Sequence, residues 1–167
     1  MLRSLALSLA LSLSCVLSPH GALALDTTVN TSSDNKEMAQ AIVEARATLD
    51  TILARVPVAN GTYPDALTLK VAVPVNADGI ENENIWVRGV QPKGGDAFTA
   101  VYANHPRDIK GAQIGDALRF DHAQIIDWAV PSDGKFYGHY TTRVLLPQLS
   151  EEDAAYMRNI LHATPMP

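Results

Sequence analysis

Asp127 is the residue whose surroundings most demand a chemical explanation. It stands inside the run Ile125-Ile126-Asp127-Trp128-Ala129-Val130, and a lone carboxylate taken out of water costs on the order of several kcal/mol unless it is paired. Arg143 is its natural partner, because a planar guanidinium can grip a carboxylate through two hydrogen bonds. A structural staple, or an Asp127 that points outward from an alternating strand, explains the same residues, and both readings stay open beside a ligand-binding one. Trp86 and Trp128 have the flat apolar faces that form the floor or wall of a binding site, and equally the bulk of a core. Asn104 closes a strand ahead of Pro106, near the same set. A site built from Glu83, Trp86, Asn104, Asp127, Trp128 and Arg143 would bind a ligand through two polar anchors, Asp127 and Arg143, over an aromatic surface.

Turnover is the competing chemistry. Glu81 and Glu83 share a strand face, and Glu83 with Asp127 could serve as acid and base for a hydrolase acting on glycan or peptide, with Asn104 or Arg143 holding developing charge. Such carboxylates must stand roughly 5–10 Å apart. Both glutamates follow the Asp78-Gly79 turn, so solvated hairpin positions are the simpler expectation for them. His105, His122 and His139 recur every 17 residues, and three imidazoles on successive strands can hold zinc. No short two-histidine motif accompanies them, and no metal is expected. Neither a glycine-flanked serine elbow nor a phosphate loop is present, since Gly94-Gly95 lacks the lysine and helix start such a loop requires. No catalytic residue and no cofactor is assigned.

The elements that must position these residues follow from their periodicity. Asp34, with Glu37 three residues on, has the spacing of a capping box. Met38, Ala41, Ile42, Ala45, Leu49, Ile52 and Leu53 then form the apolar stripe of a helix ended by Val56-Pro57. Leu67 to Val73 alternates as a half-buried strand. Further strands are predicted at Ile85–Val90, Phe98–Tyr102, Ala117–Phe120, Gln124–Val130 and Lys135–Tyr140, separated by turns. Thr142 to Leu146 fits strand and helix equally. Ser150 caps a last helix with Glu151, Glu152 and Asp153 in its first turn and Ala154, Met157, Ile160 and Leu161 on its inner face. The expected fold is α+β: an antiparallel meander or small partly open barrel, flanked by an N-terminal and a C-terminal helix.

Composition sets the compartment and narrows the partners. Arg3 precedes an apolar run from Leu5 to Leu17, then Pro19, His20 and Gly21, then Ala22-Leu23-Ala24. This layout predicts a signal peptide over 1–24, a flexible leader over 25–33 and a single domain over 34–167. The run is shorter than the ~20 residues a membrane span requires. Cleavage near Ala24 implies a periplasmic or secreted protein. Lipidation at Cys15 is disfavoured, because Ser12 stands where a lipobox has leucine. Cys15 is the one cysteine, so the domain has no disulfide or thiolate chemistry. A net charge of −5 without a basic stripe argues against nucleic-acid binding.

Taken in order, Glu83-Asn84-Ile85-Trp86-Val87, Asn104 with Pro106, Gly115-Asp116, Ile125-Ile126-Asp127-Trp128 and Gly138 to Arg143 resemble the YegJ-like family of bacterial proteins, a domain of unknown function. The helix carrying Ala41, Glu44, Ala45, Arg46 and Leu49 fits its lead-in, so the resemblance spans about Lys36 to Leu146. It implies that Glu83, Trp86, Asn104, Asp127, Trp128 and Arg143 belong to one shared design, and it supplies no catalytic residue. This chain has Asn84 where the family typically has histidine, which removes an imidazole base there. The expected function is an exported binding or accessory module of the bacterial envelope, engaging a protein partner or a small ligand. The carboxylate hydrolase is the alternative, and a framework whose function sits on loops such as Gln91 to Asp96 is the third reading.

Overall fold

The computed structural model describes residues 36–77 and 79–167. The signal segment expected over 1–24, the leader expected over 25–33, the expected cap Asp34 and Asp78 of the expected first turn lie outside the described residues. Helix α1 (Lys36–Arg55) leads into strands β1 (Thr68–Ala77), β2 (Ile80–Pro92), β3 (Ala97–Tyr102), β4 (Ala117–Asp121), β5 (Ile125–Ser132) and β6 (Lys135–Gly138), followed by helices α2 (Tyr140–Leu145) and α3 (Glu151–Ile160). Among the described residues no helix is long and apolar enough to cross a membrane.

The fold is α+β, with one antiparallel sheet of six strands in the order β4-β3-β2-β1-β5-β6. It remains an open sheet rather than a barrel. Nor is it a full meander: β1 to β4 follow one another, but β5 returns across the sheet to pair with β1. Apolar alternation predicts strands well, whereas the choice of neighbour depends on tertiary packing that no local pattern encodes.

Register divides the sheet into two unlike faces, because successive side chains point to opposite sides. Leu69 pairs with Val87, which pairs with Tyr102, and Phe98 pairs with Phe120; these residues face the core. There they meet Ala41, Ala45, Leu49 and Ile52, the buried stripe of α1. Lys70, paired with Trp86 and Asp127, points to the other face. On the β5–β6 side the segment after β6 flanks the sheet, and the chain end runs beside β6, where Leu161 forms a parallel bridge with Phe136.

Two predicted elements take a different form. The strand expected over Lys135–Tyr140 stops at Gly138, and the ambiguous stretch after it is helix α2. The stop is steric. A Cβ at Gly138 would lie 2.0 Å from the Trp128 carbonyl oxygen and 2.7 Å from its ring, at a φ of +78°. His139 follows in the left-handed region at φ 54°, turning the chain from strand into helix.

Gly138→Ala therefore forces backbone to move, since the contact is with a carbonyl and not with a pliable side chain. Guanidinium melts should show a loss of about 3 kcal/mol or more. A variant within about 1 kcal/mol of the parent would mean that β6 can detach from β5 without cost to the domain.

Candidate functional site

Asp127 is fully buried, at 0 % exposure, and its carboxylate accepts four hydrogen bonds. Oδ1 takes the Trp128 amide at 2.8 Å and the Tyr140 amide at 3.1 Å. Oδ2 takes the Thr141 amide at 2.8 Å and the Thr141 hydroxyl at 2.7 Å. The amides of Tyr140 and Thr141 open helix α2, whose own N-cap position, His139, supplies no side-chain cap. Asp127 thus caps that helix from β5, satisfying donors that would otherwise be buried unpaired.

Arg143 is not the partner the sequence suggests. Its Nε donates to the Gly138 carbonyl at 2.9 Å and its Nη1 to the His162 carbonyl at 2.9 Å, tying the chain end to α2. Its Nη2 is buried with no acceptor among the described residues. The cation nearest in function to Asp127 is Lys70 on β1, whose Nζ donates to the Thr141 hydroxyl at 3.3 Å while that hydroxyl donates to Asp127. Lys70 also lies 5.6 Å from the centre of the Trp86 ring. Nothing in the alternation of Leu67 to Val73 distinguishes Lys70 from its outward neighbours Thr68 and Ala72, so its role could not be read from the chain. The same holds for His139, whose ring packs 4.8 Å from Trp86 and 5.6 Å from Phe136.

The remaining expected site residues are joints as well. Glu83 is buried, not a solvated hairpin residue. Oε1 accepts from the amide of Arg107 at 2.7 Å, and Oε2 from those of Asp108 at 2.9 Å and Ile109 at 3.0 Å, fixing the long β3–β4 loop. Glu81 stays exposed. Asn104 Oδ1 accepts from the Trp86 amide at 3.0 Å, while the Ala103 amide donates to the Trp86 carbonyl at 2.9 Å, so pairing continues beyond the end of β3. Trp128 is core, and its indole N–H donates to the Ala45 carbonyl and the Thr48 hydroxyl on α1. Arg46 reinforces that contact through the carbonyls of Ile125 and Ala123. Trp86, 8 % exposed, closes the opposite face.

The structure brings Trp86, Asp127, Lys70, Thr141 and His139 together and leaves Glu83 engaged with its own loop. Each carboxylate of the expected acid–base pair is occupied by backbone donors. His105, His122 and His139 are not assembled either: among the described residues no group of three side chains could hold a metal ion. His122 instead meets Asp50 of α1 at 2.8 Å. Arg143, with Glu37, Ala41, Tyr140 and Val144, borders an open groove of about 490 Å³ between α1 and α2.

Burial sets the electrostatics. It pushes the Asp127 carboxyl above its ordinary value, while the Thr141 hydroxyl, the Lys70 charge and the surrounding amides pull the other way. Burial lowers the Lys70 ammonium, opposed by Asp127. It also drives the His139 imidazole from 6.5 down to about 3, helped by the charges of Lys70 and Arg143.

Removing the cap should be expensive. Asp127→Ala strands three amides and leaves Lys70 without its counter-charge, so denaturant melts should register a loss of about 3–5 kcal/mol; a loss below about 1 kcal/mol would contradict the cap. His139 gives a second test through acid. The unfolded chain takes up a proton near pH 6.5 that the folded chain refuses until about pH 3, so its contribution is intact above 6.5 and is lost as pH falls toward 3. Asp127, shifted upward, contributes with the opposite sign, so a variant is needed to isolate the histidine. His139→Asn tolerates the left-handed backbone, and its urea midpoint should fall less than the parent's between pH 7 and pH 4. Equal falls would remove His139 from the acid response.

No curated protein and no solved structure matches the chain. Residues 35–160 match the family described as an uncharacterized protein conserved in bacteria (DUF2314). That match covers well over half of the sequence, and the chain belongs to this family of bacterial domains.

Proposed function

We propose that this domain is an exported binding or accessory module of the bacterial envelope, with no turnover of its own. The narrower likeness to YegJ-like proteins belongs to the same reading, supported by the order of the motifs along the chain. The observation that carries the proposal is the contrast between the saturated motif residues and the uncovered sheet face. Glu83 and Asp127 spend their oxygens on backbone amides, which leaves little for proton transfer to a substrate. From β2 to β4, the face opposite α1 carries Asn84, Arg88, Thr99, Val101 and Arg119 in exposed or half-exposed positions. A protein partner can dock on such a face without any rearrangement of the core. A small ligand is the second reading, favoured by the groove beside Arg143.

Export is supported by the charged start, the apolar run and the Ala22-Leu23-Ala24 site. Expressed in a bacterial host, the protein should fractionate with the envelope and give an intact mass that begins at Leu25. A cytoplasmic, full-length product would refute export. Tagged protein should then capture one envelope component that is lost when Arg88 and Arg119 are both changed to glutamate and kept when Gln40 in the groove is changed to alanine. The reverse pattern would assign the site to the groove, and capture unaffected by either change would reject both surfaces.

A further inference from the structure

We infer that the protein forms a two-fold dimer by pairing the free edge of β4 with the same edge of a second copy, Arg119 of each chain facing Asp121 of the other. The inference goes beyond the binding-module reading and does not depend on what the uncovered face binds.

The two edges of the sheet are finished differently. At β6 the chain end runs alongside: the His162 amide donates to the Phe136 carbonyl at 3.0 Å, and the Gly138 amide to the Pro165 carbonyl at 2.8 Å. The β4 edge has no such cover among the described residues. Its ladder with β3 shows which groups it presents. The Tyr102 amide donates to the Asp116 carbonyl at 3.1 Å, and the His122 amide to the Asp96 carbonyl at 2.8 Å. In an antiparallel pair such bonds recur at every second residue, so Leu118 and Phe120 turn their backbone toward β3 while Ala117, Arg119 and Asp121 turn theirs outward. The Asp121 amide is taken by the Gln124 side chain at 2.9 Å. Those of Ala117 and Arg119 have no partner among the described residues. The short turn after β4 leads toward α1, where His122 meets Asp50, and so leaves the edge open. Such a row of free donors and acceptors is a template for another strand.

Side chains select the occupant. Ala117, Arg119 and Asp121 are all exposed and share the face away from α1. Charge of one sign along an edge repels a second copy, which is a common way to guard it. Here the signs alternate. Arg119 and Asp121 stand two residues apart, ~6.8 Å along the strand, and no ion pair joins them among the described residues. A two-fold antiparallel copy can be centred on Leu118, Arg119 or Phe120. Centring on Arg119 sets that cation against itself, and centring on Leu118 leaves it opposite Ala117. Centring on Phe120 sets Arg119 opposite Asp121 twice, at the ~5 Å separation of directly facing residues. Each Arg119 amide then donates to the Asp121 carbonyl of the other copy, while the Asp121 amide stays with Gln124. One backbone bond and one ion pair from each copy make a contact at the small end of specific interfaces, so the dimer is weak. It lays the two uncovered faces side by side in one continuous sheet, offering a partner two copies of the docking surface.

Sedimentation equilibrium of the purified protein up to ~1 mM, the range suited to so small a contact, should show a dimer that added salt weakens. Arg119→Asp alone and Asp121→Arg alone place like charges across the axis, and each should sediment as a monomer. Mixed in equal amounts the two variants are complementary and should regain a dimer, which also shows that both are folded. Lys93→Gln, away from this edge, should leave the parent's dimer unchanged. Amide exchange reads the register: as concentration rises, exchange at Arg119 should slow while Ala117 stays fast. A parent that remains monomeric, single variants that still dimerise, or a mixture that does not would overturn the inference. Slowing at Ala117 together with Arg119 would overturn the pairing of Arg119 with Asp121.

Discussion

The buried carboxylate of Asp127 is the constraint on which the C-terminal third of the domain depends. A charge with no exposure is tolerated only where donors surround it, and here the donors come from three sources: its own strand, the start of α2, and the Thr141 hydroxyl backed by Lys70. Because two of those donors belong to the first turn of α2, the helix can begin only where Asp127 can reach it. That fixes the left-handed turn at His139, which in turn requires glycine at 138, where the chain passes within contact of Trp128. Arg143, one turn into the helix, then grips the carbonyls of Gly138 and His162 and brings the chain end against β6. One carboxylate thus organises the turn, the helix and the closing segment in sequence.

The same device recurs at the other side of the sheet. Glu83 gathers three consecutive amides of the β3–β4 loop, and Asn104 extends the pairing of β2 where β3 has ended. With the one cysteine at position 15, the domain has no covalent cross-link to hold its long connections. Polar side chains reaching backbone donors do that work instead. Buried polar groups that are fully satisfied give directional fixing that apolar packing does not, because removing any one leaves a donor unpaired at a cost of about 1–3 kcal/mol.

Much of this architecture was legible in the chain. The stripe from Ala41 to Ile52, the alternation of Leu69, Val71 and Val73, and the Ser150 cap, whose hydroxyl accepts the Asp153 amide, are local patterns and were read as such. The return of β5 to β1 was not legible, since Ile125 to Val130 is apolar enough to pair with any neighbour. At the site, a carboxylate in an apolar run announces burial but not its partners. Arg143 was the chemically obvious counter-ion, and the actual donors were amides, which every residue possesses and which therefore leave no mark in a sequence. Lys70 sits at one outward position of an alternating strand, and only the register with Trp86 and Asp127 gives it meaning.

This division between joints and surface bears on what a shared motif can tell. Glu83, Asn104, Asp127, Gly138 and Arg143 each satisfy or avoid a specific piece of backbone, so a chain that keeps them together with the apolar core keeps these joints of the fold. Arg88 and Arg119 satisfy no backbone group and can change without penalty to the core. A pattern built from the first set therefore identifies the scaffold and is silent about the partner, while the residues that would choose a partner lie between its motifs. In antiparallel sheets with one covered face that separation is natural: the covered side must be solved once for stability, and the open side stays free to vary with what it meets. The chemistry of the uncovered positions, more than the motif itself, is then where functional differences between such domains should be sought.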